Sequence, residues 1–298
     1  MSEQPKYMGG QAVVEGVMMR GATTWAVAVR TPDGDIDVAV HDVPGWAERY
    51  NKIPLLRGVM NLAESMSLGM RALSWSANLQ MPEEERLSRK AMGAAMAVSM
   101  ALFMGIFILL PALGARGLGS LFGITGIAFH AMEGALVLGL FLGYLAAIGR
   151  MKEIRKVFQY HGAEHKSIAA YENDVPLTPE SAQTFTTAHV RCGTNFLLTV
   201  LTIAIIVYSL IGRPALPYLI LSRVILIPVI AGLAYELIRF AARNMDRRWV
   251  QIAMIPGLSL QKLTTREPTL EQLEVAIAAL RAVFTAEQSA EVDARVAA

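Results

Sequence analysis

Apolar residues dominate four long stretches of this chain: Met92–Leu113, Ile124–Ile148, Thr194–Gly212 and Tyr218–Phe240. A helix needs about 20 apolar residues to cross the hydrocarbon core of a bilayer, and each stretch is close to that length. The connectors Gly114–Gly123 and Arg213–Pro217 are short, so the spans pair as two helical hairpins. Ahead of them the period changes. Thr24–Arg30 and Asp35–His41 alternate around Pro32-Asp33-Gly34, which signals a β-hairpin. An isolated hairpin is marginal, so a further strand from Gln11 to Glu15 is expected beside it. Over residues 54–80, Leu55, Val59, Leu62, Met66, Leu73 and Ala77 form one helical stripe. Arg57, Glu64 and Arg71 argue against a full span there, and the helix is expected at the membrane surface or against the bundle. Beyond the last span, Pro256–Pro268 reads as irregular. Thr269–Phe284 then reads as a helix opened by a Thr269/Gln272 capping box. Its apolar stripe runs through Leu273, Ile277 and Leu280, and the chain is expected to fray from Glu287.

Composition agrees with the spans. The chain has 298 residues, 54% of them hydrophobic and only 17% charged, against about a quarter charged in soluble domains. Its mean hydropathy is +0.41. A net charge of +2, without a basic run interleaved with aromatics, gives no sign of nucleic-acid binding. Cys192 is the only cysteine, so no intrachain disulfide forms, and a reducing compartment suits it. Met1–Gly10 is polar and Gly-rich and lacks a cleavable signal-peptide pattern.

Charge at the span ends sets an expected orientation. Arg86, Arg89 and Lys90 precede the first span; Arg150, Lys152, Arg155 and Lys156 follow the second; Arg239, Arg243, Arg247 and Arg248 close the fourth. The short connectors hold only Arg116 and Arg213. Both termini and the loop 149–193 are therefore expected in the cytoplasm. The expected organisation is a β-rich element (1–50), a surface helix (51–90), a first transmembrane hairpin (91–148), a cytoplasmic loop (149–193), a second hairpin (194–243) and a cytoplasmic C-terminal segment (244–298).

Within the loop lies Tyr160-His161-Gly162-Ala163-Glu164-His165-Lys166, with two of only five histidines. Residues four apart share a helix face, so both imidazoles could reach one metal ion, with Glu164 as the proton carrier. Inverzincin metalloproteases use the same His-x-x-Glu-His spacing. The positions Ile154, Phe158, His161, His165, Ile168 and Glu172 form one stripe that turns both histidines inward. Glu172 sits about 10.5 Å further along the helix than His165, out of reach of a shared ion. Buried, hydrogen-bonded histidines fit the stripe equally well. His189 and Cys192, three apart, are a second ligand pair. If both join, the site is closed in the structural zinc style; if one joins, a position stays open in the catalytic style. Cys192 could instead be a nucleophile, favoured by a helix start and by Arg191, or a small buried residue.

Other polar candidates are weaker. Gly9–Gly21 sets four glycines around Glu15 and Arg20, but it is neither a P-loop nor a dinucleotide fingerprint. A structural turn is expected, with Glu15 paired to Arg20 or serving the metal. His130 and Glu133 in the second span, and Arg223 and Glu236 in the fourth, are functional candidates because ionisable groups inside a bilayer are costly. Glu236 either pairs with Arg239 one turn on or supplies the distant third ligand that inverzincins use.

The ordered set Gly9–Gly21, His161–Lys166, Arg191-Cys192-Gly193-Thr194 and Pro256–Pro268 resembles the YqhQ-like family, bacterial multi-pass membrane proteins with a domain of unknown function. The resemblance runs from about Tyr7 to Leu280. It implies a bacterial inner-membrane protein and a predicted metal-dependent enzyme, without naming a substrate.

The expected fold is therefore mainly α: a helical membrane protein with four transmembrane helices, a small N-terminal β-hairpin element and a cytoplasmic cap. The expected function is a zinc-dependent hydrolase acting at the cytoplasmic membrane surface on a peptide or lipid-linked substrate. His161, His165 and His189 or Cys192 would be its ligands and Glu164 its base. The alternative is a transporter or scaffold that recruits a partner, its histidines a structural zinc site or simply core.

Overall fold

The computed structural model describes residues 8–86, 88–189, 192–212 and 215–297. The chain is mostly helical, with a four-stranded antiparallel sheet at its start. The strands β1 (Gly9–Val13), β2 (Gly16–Arg20), β3 (Thr24–Arg30) and β4 (Ile36–Asp42) lie in sequence order. The expected hairpin is thus one half of a larger meander. The glycine-rich stretch 9–21 supplies the other half, with its turn at Glu15, whose φ of 50° is left-handed. That stretch hides from period-2 reading because β2 is buried on both faces.

Three layers explain that burial. Met19, Ala26 and Ala28 face one side of the sheet and join Tyr160, Ala163, Leu273, Ile277 and Leu280. These come from α5 (Lys152–Glu172) and α11 (Leu270–Ala297). Val13, Trp25, Val27 and Val29 face the other side and join Leu68 and Ala72 of α1 (Leu56–Leu79). Helix α11 continues past Glu287 to Ala297, and the Glu287 carboxylate accepts hydrogen bonds from the Thr23 and Thr24 backbone N–H groups at 2.8 and 3.2 Å. The capping box is present: Thr269 Oγ1 accepts from Gln272 N, and Gln272 Oε1 accepts from Thr269 N.

Four helical segments are long and apolar enough to cross a membrane: Lys90–Phe122, Gly126–Ile148, Gly193–Ile211 and Pro217–Arg243. The first comprises α2 (Arg89–Met104), a π turn at Gly105–Leu109 and α3 (Leu110–Phe122). The expected connector Gly114–Gly123 is therefore helical almost throughout, and the chain turns only at Gly123, which has a φ of 64°. The second and third segments are α4 (Gly126–Ile148) and α7 (Gly193–Ile211). The fourth breaks into α8 (Leu216–Ile225) and α9 (Ile227–Arg243) ahead of Pro228, which cannot donate to the helical ladder. The short α6 (Pro179–Gln183) lies between α5 and α7.

Pro256–Pro268 also departs from expectation. It is largely helical, within α10 (Arg248–Thr264), with Pro256 inside the helix. Packing overrides propensity here: Gly257 lies against Asn195 of α7, and Leu260, Gln261 and Thr264 are buried. The amphipathic helix α1 lies against the bundle. Its first turn meets α9, where the Leu55 carbonyl presses on Gly232 and Gly58 presses on Tyr235.

Candidate metal centre

Helix α5 is buried around its whole circumference from Gly162 to Ile168, a wider burial than one stripe. Gly162 makes this possible. A Cβ there would collide with the Arg266 carbonyl oxygen, so only glycine lets the Thr265-Arg266 segment cross the helix. That segment is pinned by Arg266 N donating to Phe158 O at 2.8 Å.

The two histidines are held in the same way. His161 Nδ1 donates to the Thr264 carbonyl at 2.9 Å, and His165 Nδ1 donates to the Thr187 carbonyl at 2.6 Å. A carbonyl only accepts, so Nδ1 carries the proton in both rings and Nε2 of each neutral ring is a lone pair. His161 Nε2 lies 3.2 Å from Cys192 Sγ. His165 Nε2 is buried and has no hydrogen-bond partner among the described residues. One donor atom each from His161, His165 and Cys192 fall within 4.8 Å of one another.

Electrostatics favour a neutral ring at His165 and at His189. Burial, with His161 and His189 nearby, pushes His165 down to about 3. Burial lowers His189 as well. Glu164 is 6% exposed and is pushed up to about 7, chiefly by burial, with His161 pulling it down and Cys192 pushing it up. The Cys192 thiol is raised by burial, and hydrogen bonds with Thr194 offset this only in part. Burial therefore outweighs the help that its position at the start of α7 gives the thiolate. Arg191, expected to assist, lies outside the described residues, as does Arg213 of the second connector.

The remaining sequence candidates are elsewhere. His189 is outside the three-donor group: its ring centroid is 5.6 Å from that of His165 and its Nε2 is 3.4 Å from Glu172. Glu15 and Arg20 do not pair with each other. Glu15 takes Lys156 at 2.7 Å, and Arg20 takes the buried Glu64 at 2.6 Å, because the meander turns the two side chains toward different helices. Glu236 receives a two-pronged contact from Arg57, at 2.7 and 2.5 Å, which ties α1 to α9. Arg223 pairs with Glu133 at 2.5 Å inside the bundle.

Sequence reasoning missed Gln261, whose side chain accepts from His189 N and donates to His189 O, both at 2.8 Å. A lone amide inside an apolar helix was the available signal. It also missed a cavity of about 1290 Å³ that reaches from the His161, Glu164, His165 and Cys192 side chains up between the spans.

The fold and site together define a mostly helical protein with four helices long and apolar enough to cross a membrane and a three-donor cluster at the start of α7. The chain belongs to the family described as "Protein of unknown function (DUF1385)", whose model matches residues 53–286. It is 36% identical over 294 residues to the "Uncharacterized protein YqhQ" of Bacillus subtilis (strain 168), covering 92% of this chain and 91% of that one. No solved structure matches it.

Proposed function

We propose that this protein is a metal-dependent hydrolase of the bacterial inner membrane, with both termini and its centre on the cytoplasmic side. The observation that carries the reading is the pair of Nδ1–carbonyl hydrogen bonds, which leave the His161 Nε2 lone pair 3.2 Å from the Cys192 sulfur and the buried His165 Nε2 without a partner among the described residues, in a group of three donors within 4.8 Å. Backbone carbonyls that fix the histidine tautomer are the usual second shell of a metal site. Two nitrogens and one sulfur suit zinc, and three protein donors leave a position free, as catalytic sites do. A bound divalent ion supplies Lewis acidity, acidifying water and polarising a carbonyl or phosphoryl oxygen.

The residues of the chain do the rest. His161 and His165 would hold such an ion through rings whose Nδ1–H is fixed to a backbone carbonyl. Glu164, desolvated and with a carboxyl that titrates near neutrality, takes a proton from the attacking water and returns it to the leaving group. The basic residues at the span ends support the cytoplasmic orientation.

The test is metal content of the purified protein, parent against a His161→Ala/His165→Ala variant. The parent should carry close to one equivalent and the variant almost none; equal content in both sinks the reading. The burial of His165 favours a competing role, a purely structural metal or histidine core in a scaffold or transporter. Glu164→Gln separates the two. It should keep its metal and lose cellular function if Glu164 is the base, whereas a scaffold keeps both.

A further inference from the structure

The cavity is larger than the metal centre needs. Small-molecule pockets hold roughly 300–1,000 Å³, and this one holds about 1290 Å³. Its shape follows α7. Leu197, Leu201, Ala204, Ile205 and Tyr208, one face of that helix, all line it. From Cys192 to Tyr208 the helix rises about 24 Å, most of the roughly 30 Å of a bilayer's hydrocarbon core. Phe107, Val137 and Phe141 close the opposite wall.

The two ends differ in chemistry. The end nearest the metal centre is polar: Gln11, Asn61, Ser65 and Glu164 line it beside the histidines, with Arg20 held there by its pair with Glu64. The far end is closed by Arg223, which is paired with Glu133 at 2.5 Å and lies 3.7 Å over the Tyr208 ring. That charge is neutralised within the protein, so the far end offers no net charge to a ligand. Between the ends the lining is apolar. A peptide threaded there would leave its backbone groups without hydrogen-bond partners; a hydrocarbon chain has none to satisfy.

The first span covers the cavity loosely. No residue described from Lys90 to Met104 is buried, so the lower half of the first span stands clear of the bundle. Phe103 and Leu197 line the cavity and are 47% and 49% exposed. The π turn at Gly105–Leu109 lies immediately beyond, where the helix rejoins α4. Such turns inside α-helices are frequent at functional sites.

We propose that this cavity takes the long hydrocarbon chain of a membrane lipid, entering sideways from the bilayer between α2 and α7. Its polar headgroup lies at the His161–His165–Cys192 centre and its chain runs along α7 toward Arg223–Glu133. As a substrate assignment this rests on the hydrolase reading above; as a binding site it stands on the cavity alone.

The test uses full-length protein reconstituted into vesicles of phosphatidylethanolamine and phosphatidylglycerol. The vesicles carry a trace of palmitoyl lysophosphatidic acid bearing a mid-chain diazirine. After irradiation, adducts are mapped by mass spectrometry, and bound metal is measured on the same sample. Adducts should concentrate on the Leu197–Ile205 face and on Phe107 and Phe141. Ala204→Trp, which fills the cavity, should cut them severalfold, while Leu210→Trp, at a position 82% exposed outside the cavity, should not. Val137→Phe fills the same space from the facing helix and decides the matter if Ala204→Trp does not fold. Adducts spread evenly over Leu210 and the cavity face, or unchanged by both filling variants, overturn the proposal. Cavity adducts on a parent protein without metal keep the lipid site and remove the hydrolase reading; metal without cavity adducts does the reverse.

Discussion

At the scale of single residues, Glu164 and His165 pull the metal-free protein in opposite directions as pH changes. Glu164 titrates at 4.5 when unperturbed and at about 7 when folded. Between those values the folded chain holds a proton that the unfolded chain has released, so this group's contribution to stability falls as pH rises. His165 moves from 6.5 to about 3. There the unfolded chain holds the extra proton, and stability falls as pH drops from 6.5 toward 3. The two slopes oppose each other between 4.5 and 6.5. Glu164→Gln removes only the first. Its melting temperature in chelator-treated detergent solution should match the parent near pH 4.5 and rise above it up to about pH 7, a gain on the order of 3 kcal/mol at one pKa unit per 1.36 kcal/mol. A difference that does not vary with pH would mean that Glu164 ionises like an exposed carboxylate. The donors of this site are visible in the sequence because a helix brings residues four apart together and because Cys192 is alone of its kind. Their acceptors are the carbonyls of Thr187 and Thr264, which any residue supplies, so no letter marks them. His189 has a ligand's side chain, yet Gln261 grips its backbone at both N–H and C=O and its ring faces Glu172.

At the scale of elements, two contacts decide how helices sit. Gly162→Ala sets a methyl group against the Arg266 carbonyl. Because the collision is with backbone, relief requires the Thr265-Arg266 segment to move, and with it the Thr264 acceptor of His161. The expected cost is about 1–3 kcal/mol, read by thermal unfolding, together with reduced metal content; an unchanged metal content would mean that Thr264 does not position His161. The Arg223–Glu133 pair joins the second and fourth spans. Removing one partner alone, as in Arg223→Met, leaves a buried charge and should cost about 3–5 kcal/mol, whereas the double change Arg223→Met/Glu133→Leu should recover most of that loss. Equal destabilisation by single and double variants would show that the pair is not coupled. The spans were legible because length and apolarity suffice to mark them. Their ends were less so. Gly114, Gly117 and Gly119 read as a loop by propensity, but within a bilayer no water competes for the backbone and glycine is tolerated in helices. Pro256 misled for a similar reason, since packing on α7 retains a helix that Pro disfavours.

At the scale of the whole molecule, the sheet is the least self-sufficient part. Its apolar faces are closed by α1 on one side and by α5 with α11 on the other, so strands near residue 10 depend on a helix that begins at Leu270. A chain ending at Pro268 should therefore keep its spans but expose Met19, Ala26 and Ala28. Limited proteolysis of membranes should then cut within residues 9–42, which the full chain protects; equal protection would show that α5 alone covers that face. The hairpin was readable from alternation and a turn signal, and the strand expected at Gln11–Glu15 overlaps β1; β2 was not readable, because a strand buried on both sides loses its alternation.

The placement of His161's acceptor has a consequence for how the protein is made. Thr264 closes α10, after the last helix long and apolar enough to cross a membrane, and Glu267, paired with the buried Lys166, follows three residues on. A ribosome delivers these residues only after every span has left it. A nascent chain that has passed Cys192 but not yet reached Thr264 therefore holds all three donors but lacks the acceptor that fixes the His161 ring.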